Sequence, residues 1–413
     1  MPLTDFSTGS AVTLLDQLPQ RSGLDRLWRF LPEARLVGGS VRDLLLGGQQ
    51  VHDLDLATPE PPHEVQAVLA RAGIKTIPTG LAHGTITALI DQVPYEITTL
   101  RRDVTTNGRH AEVAWTTNWQ EDAARRDFTI NALFCDRWGV IHDFFGGQRD
   151  LAARHVRFVG EAGRRIEEDA LRILRFFRFD ARFGSDRPDL AAMTAIRSHA
   201  GMIGGLSAER LASEMVRILT GPHLARCLAH MEAADVLDRV VASPRTRRLV
   251  RGLKLGAPED GVLRLGLLSD APDLAQRLRL SGKQAQRLSL MRGPYLSDET
   301  DILSPQCDDD ALRRQLALEE HQTLLDRIWL LQTQDDESLP EDWDALRTRL
   351  IGMKRPIFPL AGRDAVKAGL GPGPEVGLVL AELQDWWRAR GCLPDREACL
   401  AELKNRLPLS PQG

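Results

Sequence analysis

The sequence predicts two regions of different class: a mixed α/β head and, after it, a chain that is helical throughout. Three observations carry this. At 413 residues the chain is longer than one ordinary core organises, so at least two domains are expected. Up to about residue 150, alternating β-branched segments interleave with short helical ones. From Arg164 onward, helical periodicity rich in Leu, Ala and Arg runs almost unbroken. The expected division is a head over 1–158, a helical neck over 159–225, and a helical body and tail over 226–413.

Taken in order, residues 11–32 form an amphipathic entry helix ending at "FLPEAR". "ARLVGG" and "HDLDLAT" read as strands flanking a helix at "SVRDLLLGG". A helix follows at "PPHEVQAVLARAG", with Pro at its start and Gly at its end. "GTITALI" and "VPYEITTL" alternate and are separated by a tight polar turn, which predicts a hairpin. Residues 101–118 are polar and carry Gly108, the signature of a mobile loop. "DFTINALFCD" and "VIHDFF" resemble a second hairpin. Beyond it, breaks such as "GSDRPD", "GMIGG" and "TGPH" punctuate helices, and "LGPGPEVG" turns sharply into a last helical pair.

Composition excludes several classes. A net charge of −4 means that any nucleic-acid surface must be a local patch offset by acidic surface elsewhere. Five scattered cysteines without CxxC spacing argue against a disulfide framework or a zinc site. The amino terminus "MPLTDFSTGS" has neither the charged nor the apolar region of a secretion signal, and no apolar run approaches a membrane span. The chain reads as soluble and cytoplasmic, with no membrane partner.

Three clusters carry chemistry. In "LVGGSVRDLLLGGQQVHDLDLAT", a glycine pair lets backbone amides converge on an anion at a helix start. Asp53 and Asp55, two apart on a strand, share one face. Two such carboxylates suit Mg²⁺, a hard cation that often shares its ligands with substrate phosphates. The alternative is a solvated strand end, and neither a Walker A loop nor GxGxxG is present. Glu96 in "PYEITT" is a third candidate carboxylate on a neighbouring strand, or else a surface Glu on an edge. "RRDFTINAL" offers forked donors for phosphate and a carboxylate for a ribose hydroxyl, or an ordinary salt-bridged turn. "RIEEDALRILRFFRFDARF" reads as one well-buried helix, with Arg172, Arg175 and Arg178 recurring along it. Three arginines outnumber Glu168 and Asp169, and an uncompensated row of this kind calls for an anion.

Together these clusters resemble the class II nucleotidyltransferases that add CCA to tRNA 3′ ends, with the bacterial poly(A) polymerases as relatives. "GGSVRDLLLG…HDLDLAT" looks like their metal motif, "RRDFTINAL" their ribose and phosphate motif, "DFFGGQRDL" their head–neck hinge, and "EEDALRILRFFRF" their base-selecting neck helix. The similarity runs in order from Arg35 to Gly184 and continues more loosely through "GLSAERLASEMVRILTG". It implies a nucleotidyltransferase head on an all-α neck, body and tail. It implies that Asp53 and Asp55 hold Mg²⁺; Glu96, from the strand reading above, stays a further catalytic candidate. Gly38, Gly39, Ser40 and Arg42 would meet the triphosphate, and Arg126, Asp127 and Asn131 the phosphate and ribose. Asp169 and Arg172 would read the base with Glu168 as orienter, while Arg175 and Arg178 line or support the triphosphate wall.

The base chemistry agrees. Cytosine and adenine each present an exocyclic amine donor beside a ring-nitrogen acceptor, which a carboxylate and a guanidinium match; guanine and uracil leave that pair facing like partners. The expected partners are therefore CTP, ATP and the acceptor end of tRNA. "TGLAHGTITALI" resembles the CCA-adding branch and lacks the basic Gly-Arg-Arg-Phe-type sequence of poly(A) polymerases. The full-length stretch from Arg101 to Phe128 resembles complete CCA enzymes, since relatives that add only CC shorten it. A poly(A) or CC-only polymerase is the alternative within the superfamily, and a non-catalytic RNA-binding protein the alternative outside it. The tail's "GPGP" opens a helix whose first amides suit an RNA phosphate or simply cap and pack the last helices.

Overall fold

The computed structural model describes residues 15–16, 18–47, 54–81, 84–107, 110–293 and 303–407. They pack as two units, Met1–Val240 and Val241–Gly413.

In the first unit a seven-stranded sheet has the order β3-β4-β5-β2-β1-β8-β9. Its centre is β1 (Arg35–Val37), antiparallel to both β2 (Leu54–Thr58) and β8 (Leu133–Cys135). β2 runs parallel to β5 (Val93–Thr99), with Asp55 directly opposite Glu96. β4 (Thr85–Ile90) joins β5 through Asp91 and Gln92, both at positive φ, the geometry that matches a hairpin turn to strand twist. β3 (Lys75–Gly80) and β9 (Ile141–Asp143) close the two edges. Period-two alternation buries Leu54 and Leu56 of β2 and Tyr95 and Ile97 of β5, leaving Asp55 half-buried and Glu96 exposed on the other face. The helices of this part are α1 (Arg21–Phe30), α2 (Gly39–Leu45), α3 (Pro62–Arg71), α4 (Trp119–Ala124) and α5 (Gly147–Ala152).

Two sequence expectations are corrected here. Residues 101–118, expected as a mobile loop, contain a separate antiparallel ladder of β6 (Arg101–Asn107) and β7 (His110–Trp115). Polarity misleads there, because a two-stranded ribbon needs no apolar core face, and Asn107-Gly108 is a strong hairpin dipeptide. The stretch Arg165–Phe183 is not one helix but two, α6 (Ala162–Glu168) and α7 (Arg172–Phe183). Asp169 between them is extended, at φ −156° and ψ 103°, and its Oδ1 accepts from the Leu171 amide at 3.1 Å. A short carboxylate that bonds its own downstream backbone competes with helix continuation, and helical periodicity does not register that.

α7 is fixed against the head by aromatic packing. Phe176 stacks on Phe158 at 5.8 Å, and Phe128 meets both Phe158, at 5.0 Å, and Phe179, at 5.3 Å. Burying these rings contributes about 1.5–3 kcal/mol each, which makes the helix a rigid wall. Three further helices follow in this unit, α8 (Leu190–His199), α9 (Ala208–Leu219) and α10 (Leu224–Ala233).

The second unit is helical among its described residues. One core gathers Leu312, Leu316, Leu324, Ile328, Trp343 and Leu346. Another gathers Leu360, Leu383, Trp387, Cys399 and Leu403 around the helices Pro374–Ala389 and Arg396–Arg406. Trp387 is buried and donates to the Pro394 carbonyl at 3.0 Å, while Trp386 is half-buried. No helix among the described residues is long and apolar enough to cross a membrane.

Candidate active site

A cleft of about 440 Å³ in the first unit brings together all three sequence clusters. Gly38, Gly39, Arg42 and Asp55 come from the first, Arg125, Arg126, Asp127 and Asn131 from the second, and Asp169, Arg172, Arg175 and Phe179 from the third.

The glycine turn forms one end. Gly38 is at φ +63° as the residue before α2, a conformation that favours glycine. A Cβ there would also come within 3.4 Å of Arg126 Nη1 and the Asn131 carbonyl, so a side chain would close the gap between α2 and the second cluster. The Ser40 hydroxyl accepts from the Asp55 amide at 2.9 Å, tying α2 to the carboxylate strand. Arg42 is buried. Its Nη1 donates to Asn131 Oδ1 at 2.5 Å, its Nε donates to Asp43 at 3.0 Å, and its guanidinium lies 4.2 Å from the Phe183 ring centre. Burial lowers its pKa, partly offset by Asp43, which is the state of a cation that gains from a further anion.

The second cluster is anchored from below by Asp122, a buried carboxylate that accepts from Arg125 Nε at 2.8 Å and from Arg126 Nη2 at 2.8 Å. Burial alone would raise its pKa, but Arg126 and Arg125 outweigh that and hold it below the usual range. Asp127 has all four acceptor positions engaged. Oδ1 takes the Phe128 amide at 2.8 Å and Asn131 Nδ2 at 3.1 Å, while Oδ2 takes Arg175 Nε at 2.8 Å and Nη2 at 2.6 Å. Asp127 is therefore first an anchor for Arg175, and a ribose hydroxyl reaches it only by displacing one of these donors. Despite burial, the same partners depress its pKa, and Asp127 raises that of Arg175.

The third cluster forms the opposite wall. Arg172 donates through Nη1 to Glu168 at 2.6 Å and to the Arg165 carbonyl at 2.9 Å, and through Nη2 to the Arg125 carbonyl at 3.0 Å. Three of its five N–H groups are thus held by protein, and Nε–H with one Nη2–H remain. Glu168 also pairs with Arg165, which donates to the Ala124 carbonyl at 2.7 Å, so Glu168 fixes Arg172 in place. Asp169 Oδ2 pairs with Arg210 of α9 at 2.7 Å.

The expectation of an uncompensated arginine row is corrected by these contacts. Arg172 has Glu168, Arg175 has Asp127, and Arg178 has Glu214 of α9 at 2.7 Å. Glu168 stands at i,i+4 spacing from Arg172, but Asp127 and Glu214 come from 48 and 36 residues away, outside the reach of helical spacing. Arg178 does not line this cleft but an adjoining one. Asp55 lines the cleft and Glu96 stands beside it in register, while Asp53 lies outside the described residues. No group of three His, Cys, Asp or Glu side chains that could hold an ion occurs among the described residues. The carboxylates of Asp55 and of Glu96 beside it are oxygen ligands and fit Mg²⁺ in kind.

Sequence reasoning missed Asp122, Arg210 and Glu214. Asp122 was accessible through its i,i+3 and i,i+4 spacing to Arg125 and Arg126. Arg210 and Glu214 had no local signal.

Residues 34–157 match the family described as Poly A polymerase head domain, and residues 189–246 match that described as probable RNA and SrmB-binding site of polymerase A. The chain is 36% identical over 374 residues to the CCA tRNA nucleotidyltransferase 1, mitochondrial, of Danio rerio, covering 86% of this chain and 83% of that protein. It is similar, at 27% identity and a TM-score of 0.72, to the crystal structure of the Bacillus stearothermophilus CCA-adding enzyme in complex with CTP, covering 94% and 97% of the two chains. The Thermotoga maritima CCA-adding enzyme complexed with tRNA shares the fold, with a TM-score of 0.69 at 20% identity over 96% of this chain and 98% of that one.

Proposed function

The chain belongs to the CCA-adding tRNA nucleotidyltransferase family, and from that premise we propose that it adds C, C and A from CTP and ATP to tRNA 3′ ends without a nucleic-acid template, releasing pyrophosphate. The observation that carries this reading is the meeting, in one cleft, of the Asp55 carboxylate, the Gly38–Gly39 turn and the Asp169–Arg172 wall. The first two suit transfer at a phosphate; the third suits reading a base.

In this reading the amides at Gly38 and Gly39, with Arg42, Arg126 and Arg175, hold the triphosphate. Arg175 is pre-aimed by Asp127 and Arg42 by Asn131, so the donors cost no reorganisation when charge develops on the leaving pyrophosphate. Asp53 and Asp55 would hold Mg²⁺, with Glu96 adjacent. That ion, when bound, supplies Lewis-acid polarisation of the α-phosphate and favours the deprotonated 3′-hydroxyl. Arg172 offers Nε–H and one Nη2–H to the base, locked by Glu168 and the Arg125 carbonyl, and Asp169 accepts the exocyclic amine. Because Asp169 is shared with Arg210, an arriving amine either shares that oxygen or displaces Arg210. The head, neck and body division at residues 158 and 225 belongs to the same reading, with the helical body and tail carrying the tRNA. So does a cytoplasmic location, which cell fractionation checks against the mitochondrial one named for the zebrafish relative.

The test offers purified protein a tRNA lacking CCA, with CTP and ATP separately and together. Addition of CC with CTP alone and completion to CCA with both supports the reading. Homopolymeric A tails on unstructured RNA point instead to a poly(A) polymerase, and arrest at CC despite ATP to a CC-only enzyme. Chelation of Mg²⁺ is expected to abolish transfer while leaving tRNA retention on a filter unchanged.

A further inference from the structure

A second cavity, of about 320 Å³, adjoins the first and shares Arg42 and Phe179 with it. Its walls carry four guanidiniums, from Arg42, Arg178, Arg182 and Arg217, over the Phe183 ring and beside Thr220. No carboxylate lines it. We propose that this cavity is a second phosphate-binding subsite, distinct from the nucleotide cleft and separated from it by the Arg42 and Phe179 side chains.

Charge supports this first. Buried Glu214 is the carboxylate beneath the cavity, and three arginines converge on it: Arg178 at 2.7 Å, Arg217 at 3.6 Å and Arg175 at 4.0 Å. Arg175 already has Asp127, so Glu214 is left to balance two cations, Arg178 and Arg217, and Arg182 has no carboxylate partner among the described residues. Burial lowers the pKa of both Arg42 and Arg178; Asp43 and Glu214 offset this in part, while Arg182 beside Arg42, and Arg175 and Arg217 beside Arg178, act in the same direction as burial. Like charges gathered at a cavity mouth are unfavourable without an anion between them.

Orientation supports it second. The Arg178 guanidinium lies 4.6 Å from the Phe179 ring centre, and those of Arg42 and Arg182 lie 4.2 and 5.3 Å from that of Phe183. Stacking fixes the planes of these forks, which suits them to phosphate oxygens. Arg182 and Arg217 are exposed, Arg178 is half-buried and Arg42 is buried, so the cavity has a cationic entrance over a more enclosed cationic floor.

The phosphate has two possible sources, given the proposed function on which this inference rests: a phosphodiester of the RNA strand whose 3′ end is in the first cleft, or the released pyrophosphate. The test uses the full chain with its first cleft saturated by the α,β-methylene analogue of CTP, which cannot transfer. Inorganic pyrophosphate and a tRNA lacking CCA are each titrated calorimetrically into wild type, Arg182→Gln, Arg217→Gln and the double variant. The double variant is expected to bind one of the two ligands about tenfold more weakly or worse, with its affinity for the CTP analogue within twofold. Loss confined to tRNA, with a salt dependence shallower by about one to two charges, assigns the subsite to the RNA backbone. Loss confined to pyrophosphate assigns it to the leaving group. Unchanged affinity for both overturns the proposal, as does an equal loss for the CTP analogue, which would make the cavity part of the first cleft. The single variants decide if the double variant melts early. If the chain extends no RNA, the proposed function fails, but the two titrations still decide the subsite.

Discussion

Asp127 and Asp122 do most of their work on other side chains. Asp127 turns Arg175 towards the cleft with two donors on one oxygen, and Asp122 does the same for Arg125 and Arg126. Removing one partner from such a pair strands the other charge. Asp127→Ala is therefore expected to cost about 2–4 kcal/mol of stability, read as a lowered denaturation midpoint, and to raise KM for CTP more than tenfold. Both carboxyls titrate below their unfolded values, which fixes the sign of the pH dependence. Their stabilisation is complete above the unfolded carboxylate value of about 3.9 and is lost as pH falls through the native one. Thermal melts from pH 6 to pH 3 should show a shallower acid decline in Asp122→Asn than in wild type. An identical slope would mean that Asp122 contributes nothing to the acid limb.

At the scale of elements, the break between α6 and α7 matters most for function. An uninterrupted helix would hold residue 169 in the α-helical series; extended backbone there sets Asp169 in the cleft wall beside Arg172. Its Oδ1 bond to the Leu171 amide is a side-chain turn that holds the chain just before α7, so Asp169→Ala is expected to destabilise by about 1 kcal/mol. Asp169→Asn keeps an acceptor for that amide and loses only the charge facing Arg210, so it should melt closer to wild type than Asp169→Ala while losing discrimination against UTP and GTP. Equal melting of the two variants would show that the bond to the Leu171 amide is not what holds the break. A second element-level constraint sits at the start of α5. A Cβ on Gly147 would stand 2.2 Å from the Thr129 carbonyl oxygen, so Gly147→Ala must push α5 away from the turn that carries Asn131. A loss of about 1–3 kcal/mol in chemical denaturation is expected, and no change would show that the contact relaxes freely.

Across the whole molecule, the sequence was most informative where chemistry repeats locally. Asp55, the glycine turn, Arg126-Asp127 and Asp169-Arg172 stand in short motifs, and all of them line one cleft. The strands around Asp55 were legible from alternation, and the helical half from its composition. Three features were not legible, for physical reasons. The β6–β7 ribbon has no apolar period, the break at Asp169 is a side-chain bond rather than a pattern, and Glu214 and Arg210 reach the site only through tertiary packing. The chain's net charge of −4 likewise concealed a local excess of arginine around the two clefts. The proposed chemistry divides labour: Asp55 would serve transfer of any nucleotide, and Asp169 with Arg172 would choose which one. Single-turnover incorporation of CTP, ATP, UTP and GTP into a tRNA lacking CCA tests it directly, with wild type, Asp55→Asn and Asp169→Asn compared. Asp55→Asn should lose at least a hundredfold in rate for every nucleotide with the ranking unchanged. Asp169→Asn should incorporate UTP or GTP at rates within about tenfold of CTP. The division is contradicted if Asp55→Asn transfers normally, or if Asp169→Asn slows all four nucleotides equally and keeps the wild-type ranking.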